Sequence, residues 1–155
     1  MLHTTLIAAH AASGLAAFTL GCIGLRPHTR AVTPTHRFYI GALWAMVLLL
    51  LTVVALDWPG LSPIDRVTYG ALSLLALYTG WRGWRAHGDL RGRSAGWEGA
   101  YVDNVGFTLI ALFDGAVLIA AIDLHAPAWL VLAVGVLGIV VGRYGVHRVK
   151  RGVAA

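Results

Sequence analysis

The sequence predicts an all-α integral membrane protein, a five-transmembrane-helix bundle with its N-terminus outside and its C-terminus in the cytoplasm. Three observations carry that prediction. The chain is 58% hydrophobic and only 12% charged, with a mean hydropathy of +0.73, whereas a soluble domain carries about 25% charged residues. Its apolar residues fall into five long runs, each near the ~20 residues that a helix needs to cross the hydrocarbon core. Eleven of the twelve Lys and Arg side chains lie on one side of the resulting topology. A chain of 155 residues holds five such spans with short connections as a single membrane domain over residues 1–155, which excludes a soluble enzyme of ordinary composition.

The first run, Leu6 to Leu25, has no basic residue ahead of it, so it reads as a retained first helix rather than a cleaved signal peptide. His3, His10, Gly14, Ala17 and Gly21 form a stripe along it. A basic loop from Arg26 to Arg37 leads to the second run, Phe38 to Leu56. The turn from Asp57 to Pro63, with Pro59, Gly60 and Pro63 as breakers, precedes the third run, Ile64 to Trp84, where Gly70, Ser73, Leu77 and Gly80 make a second small-residue stripe. A polar, glycine-rich loop from Arg85 to Gly99 separates it from the fourth run, Tyr101 to Ile122. After a tight turn at Asp123 to Pro127 the fifth run continues to Val146, with Gly135, Gly138, Gly142 and Gly145 at spacings of three, four and three. That spacing puts the four glycines on one helix face, where another backbone approaches closely. Most of the six Trp residues fall near span ends, the place of interfacial anchors.

Orientation follows from the charges. Arg26, Arg30 and Arg37 lie in the first loop, Arg82, Arg85, Arg91 and Arg93 around the third, and Arg143, Arg148, Lys150 and Arg151 at the C-terminus, leaving Arg66 alone on the other side. This positive-inside bias puts the C-terminus in the cytoplasm, as an odd number of spans from an outside N-terminus requires. The pI of about 10.0 therefore reflects membrane-flanking charge and excludes nucleic acid as a partner. The single cysteine, Cys22, forms no intrachain disulfide and no CxxC pair.

Asp114 stands near the middle of the fourth run, where an ionised carboxylate costs on the order of 2.5 to 3.5 kcal/mol, so it requires a partner, a hydrated site or a bound proton. His10 falls about 8 Å outward of the midplane and Asp114 about 4 Å, at 1.5 Å per residue; the two meet if the first and fourth helices are neighbours, with Tyr69 at a similar depth. A carboxylate that orients one imidazole nitrogen while the other binds a metal is a common arrangement. A second set gathers at the cytoplasmic end: His36, Arg37, His87, Asp103 and His147. His10 and His36 are separated by on the order of 20 Å in height, so they are not the two axial ligands of one haem. No Walker loop, HExxH or GxSxG is present, which leaves hydrolysis and phosphoryl transfer without residues to carry them.

The segment Ala9-His10-Ala11-Ala12-Ser13-Gly14-Leu15-Ala16-Ala17, Gly21, and then His36-Arg37-Phe38-Tyr39-Ile40-Gly41 with Met46 resemble a family of small bacterial membrane proteins catalogued as domain of unknown function 2306. Tyr78-Thr79-Gly80-Trp81-Arg82 and Trp97 are similar to one branch of it. The resemblance implies the bacterial inner membrane and makes His10 and His36 the positions of interest; it implies no reaction.

Readings from different classes follow. In one, the bundle binds haem b or a metal ion through His10, with Asp114, Tyr69 and His36 as further candidates, and serves membrane redox chemistry or redox-enzyme maturation. In another it is an accessory or scaffold subunit whose Gly135, Gly138, Gly142 and Gly145 face makes a homo-oligomer or docks a larger membrane complex. A proton-coupled carrier using Asp114 and His10 is the third.

Overall fold

The computed structural model describes residues 2–26, 33–124 and 126–154. These form five α-helices: α1 (Leu2–Gly24), α2 (Thr33–Asp57), α3 (Pro63–Gly92), α4 (Trp97–Asp123) and α5 (Ala128–Ala154), with one 3-10 turn at Trp58–Gly60, and no strand among the described residues. His28, Arg30 and His125 lie outside the described residues. Four helical stretches, Leu2–Gly24, Pro34–Gly60, Trp97–Ala121 and Trp129–Gly152, are long and apolar enough to cross a membrane. The 30-residue α3 is long enough, but Asp65 and Arg66 stand in its first turns and Arg82, Arg85, Asp89 and Arg91 in its second half.

The helices extend past the apolar runs because polarity does not end a helix, whereas proline and backbone geometry do. Residues 85–92 belong to α3, not to a loop. They contain no proline, and the buried face of α3, Ala76, Thr79, Gly80, Gly83, Ala86 and Leu90, continues through them at three- and four-residue spacing. The helix stops where Arg93 adopts the left-handed conformation (φ 42°) and its N–H caps the Asp89 carbonyl. Gly96 supplies the second positive φ of the turn. At its other end, Ser62 caps α3 by accepting from the Asp65 N–H at 3.2 Å, with Pro63 in the first turn.

α1 and α2 form an antiparallel pair, α2 and α3 a second, α3 and α4 a third, and α1 also meets α4, closing four helices into a bundle. α5 takes its packing from α4. The α1 stripe is a seam: His3 pairs with Asp57 of α2 at 2.8 Å, Gly14 faces Met46, Ala17 is fully buried, and a Cβ at Gly21 would strike Leu109 of α4 at 2.9 Å and Tyr39 of α2 at 3.2 Å. The expected stripe on α3 is displaced. Gly70 has open space around it and Leu77 is exposed, whereas Gly80 and Gly83 receive Trp44 and Leu43 of α2. Only half of the α5 glycine face is a seam. Gly138 and Gly142 lie against Asp114, Phe113 and Ile110 of α4, with Val146 seated on Gly106 in return, while Gly135 and Gly145 meet nothing.

The core, built on Tyr39, Leu43, Val47, Tyr101, Val102 and Val105, sits toward the end of the bundle that carries the basic residues. Elsewhere large apolar side chains face outward, among them Phe38, Leu48, Ile64, Leu74, Leu132 and Val136. Water would penalise such a surface, and lipid does not. Trp58, Trp81, Trp84 and Trp129 are exposed, but Trp44 packs at mid-helix on Gly80.

Candidate functional site

His36 occupies the first turn of α2, after Pro34, and shares its face with Tyr39 and Leu43. The imidazole is buried, 5% exposed, and surrounded by rings. His87, from the extension of α3, stacks on it at 5.3 Å between centroids and 1° between planes. Tyr39 lies at 5.4 Å and Tyr101 of α4 at 5.5 Å, both tilted. The Tyr101 hydroxyl donates to the Gly24 carbonyl at the end of α1 and stands 3.4 Å from His36 Nδ1. A hydroxyl that donates to Gly24 accepts from His36 Nδ1–H, which leaves the lone pair on Nε2. His36 Nε2 and His87 Nδ1 are both buried with no hydrogen-bond partner among the described residues. Burial, together with the Arg91 and Arg37 charges, holds the His87 imidazole below the usual histidine range.

One turn deeper, the Tyr39 hydroxyl meets Thr108 Oγ1 at 2.5 Å, and Thr108 in turn donates to the Val105 carbonyl at 2.6 Å, so Tyr39 is the donor of the pair. On the flank, Asn104 Nδ2 donates to Asp89 Oδ2 at 2.7 Å, tying α3 to α4. Every helix of the closed bundle thus contributes to one polar cluster at the basic end.

The structure does not join the candidates expected in the outer half of the membrane. His10 Nδ1 donates to the Met46 carbonyl of α2 at 2.9 Å. Asp114 faces α5 at Gly138, and its Oδ1 is buried without a hydrogen-bond partner among the described residues. Tyr69 is half-buried on α3, and no hydrogen bond links it to either. The expected meeting of His10 and Asp114 fails because α1 lays its His10 face on α2, while α4 turns Asp114 toward α5. The set expected at the cytoplasmic end also divides. His36 and His87 come together, whereas Asp103 binds Lys150 of α5 at 2.5 Å and lines a separate cleft with His147.

Tyr39, Tyr101 and Thr108 were not among the expected site residues. Their signal is a spacing: Tyr39 stands three residues after His36, and Thr108 seven after Tyr101, so each shares a helix face with its neighbour. Among the described residues no group of three His, Cys, Asp or Glu side chains could hold a metal ion. His36 presents one unpartnered nitrogen, Nε2, which is itself buried. Face-to-face rings 5.3 Å apart do not hold one iron coaxially between their nitrogens, so His36 and His87 are not the axial pair of one haem as they stand.

Comparison with protein-family models, curated proteins and solved structures gives no match for this chain. The fold and its four long apolar helices define the class: a helical membrane protein.

Proposed function

We propose that this is a five-span protein of the bacterial inner membrane, akin to the domain of unknown function 2306 family, that binds a prosthetic group such as haem at His36 and serves membrane redox chemistry or redox-enzyme maturation. The observation that carries the reading is the state of His36: one nitrogen is engaged by Tyr101, and the other is buried with no hydrogen-bond partner among the described residues. That is how a protein sets the tautomer and direction of a ligating imidazole. The bound group would supply the electron transfer. The chain supplies the ligand at His36 Nε2, the orientation through Tyr101, and a dry wall from His87 and Tyr39. His10 is assigned a packing role, since its Nδ1 is used on the α2 backbone.

The test is a reduced-minus-oxidised visible spectrum with elemental metal analysis on the detergent-purified protein and on His36→Ala and His10→Ala variants. A Soret band or stoichiometric metal should be present in the wild type, lost in His36→Ala and retained in His10→Ala. A folded wild type that is colourless and metal-free would overturn the reading.

A further inference from the structure

A second polar feature lies on the other side of α4 from the His36 cluster. Arg82 of α3, Asp103, Phe107 and Ile110 of α4, and Arg143, Val146, His147 and Lys150 of α5 line a cleft of about 600 Å³. Its α5 wall is a stripe. Arg143, His147 and Lys150 recur at four and three residues, and so share one helix face. Register on α4 is fixed by Gly142 against Ile110, Val146 against Gly106 and Lys150 against Asp103. From Lys150 to Arg143 the stripe therefore runs about 10 Å toward the middle of the span at 1.5 Å per residue.

The facing wall is prearranged. Arg82 donates to the Asp103 carbonyl at 3.0 Å and to the Tyr78 hydroxyl at 3.3 Å, and its guanidinium lies 4.8 Å over the Phe107 ring. Its Nε hydrogen has no acceptor among the described residues. Asp103 is the one carboxylate in the lining against three cations, Arg82, Arg143 and Lys150, so the cleft keeps an excess of positive charge after the Lys150 pair is counted. Between the cations, at the heights from Lys150 to Arg143, the wall is apolar, through Phe107, Ile110 and Val146. Tyr144 completes the lining, and deeper than Arg143 the same face of α5 continues as exposed Val140, Ile139 and Val136. Cations toward the basic end and an oily surface deeper along the same helix face, on a helix long and apolar enough to span a membrane, match the order of groups in a lipid at the same depth.

We infer that this cleft binds an anionic phospholipid, its phosphate at the Arg82, Arg143 and Lys150 cations, against Phe107 and Val146, and its acyl chain deeper along Val140 and Val136. The apolar wall favours a lipid over a free phosphate, which has nothing to place there. This site is independent of the His36 reading.

The experiment is a thermal-shift titration of the full chain in a neutral detergent with phosphatidylglycerol, phosphatidylcholine or inorganic phosphate as probe, on the wild type and on Arg82→Gln, Arg143→Gln and Arg148→Gln variants. Arg148, whose guanidinium lies over the Tyr144 ring, does not itself line the cleft and serves as the charge control. Phosphatidylglycerol should raise the melting temperature of the wild type and of Arg148→Gln, with at least a tenfold higher midpoint concentration for Arg82→Gln and Arg143→Gln. Phosphatidylcholine and inorganic phosphate should do neither. Should Arg82→Gln fail to fold, the exposed Arg143 decides the matter. Equal response to phosphatidylcholine, equal midpoints in wild type and Arg143→Gln, or a shift by inorganic phosphate at the same midpoint as the lipid would each overturn the assignment.

Discussion

At the scale of single residues, the chemistry of the bundle rests on where imidazoles are placed and what they touch. His87 sits just past the apolar part of α3, with its pKa depressed first by burial and then by Arg91 and Arg37. The sign of its pH effect follows. A histidine whose folded pKa lies below its unfolded value binds more protons when unfolded, so folding stability falls as pH drops through about 6.5 and the loss saturates below the folded pKa. Melting temperatures in detergent should therefore decline between pH 8 and pH 5, and His87→Gln should flatten the decline. Identical slopes for the two proteins would remove His87 from the account. The residue types in this site were legible in the sequence, including His36 and His87 as members of one end. Their partners were not, because which face of α1 meets α2 or α4 depends on side-chain packing that no periodicity within α1 encodes. The same blindness explains why Asp114 and His10, close in depth, face different helices.

At the scale of the helix, glycine placement decides which surfaces can touch. Apolar runs and charge breaks located all five helices, yet their ends were underestimated wherever polar residues continued a buried face, as Ala86 and Leu90 do in α3. The α5 stripe makes the point sharply, since four glycines with helical spacing divide into two that are covered and two that are open. Enlarging a covered glycine drives a side chain into α4. Gly142→Leu and Gly106→Leu should each cost about 1–3 kcal/mol of stability by overpacking, whereas Gly135→Leu should stay within about 0.5 kcal/mol of the wild type. Denaturant titration followed by circular dichroism reads the difference. Equal losses at Gly142 and Gly135 would mean that α5 presents another face to the bundle.

At the scale of the whole molecule, the two ends differ in kind. Arg37, Arg82, Arg85, Arg91, Arg93 and the C-terminal cations gather at one end with both polar sites, and the opposite end carries the His3–Asp57 pair and the Ser62 cap. We expect the basic end to face the cytoplasm. In a Cys22→Ala background, a cysteine at Ala155 should resist an impermeant maleimide in intact cells, and one at Gly60, an exposed position with open space around it, should react. The reverse pattern would invert the topology. α3 belongs to this argument: only if it crosses does the α2–α3 turn lie opposite the basic loops.

The dependence of α5 on α4 for its packing has a consequence for how the chain is put together. The four-helix unit closes through the α1–α4 contact without α5, so α5, made after the other four helices, docks onto a scaffold that already exists. Such a segment is separable. Cutting the gene at the α4–α5 turn and expressing the two pieces together should yield a complex that co-purifies through a tag on the short piece, and the Gly142→Leu change in that piece should abolish the recovery.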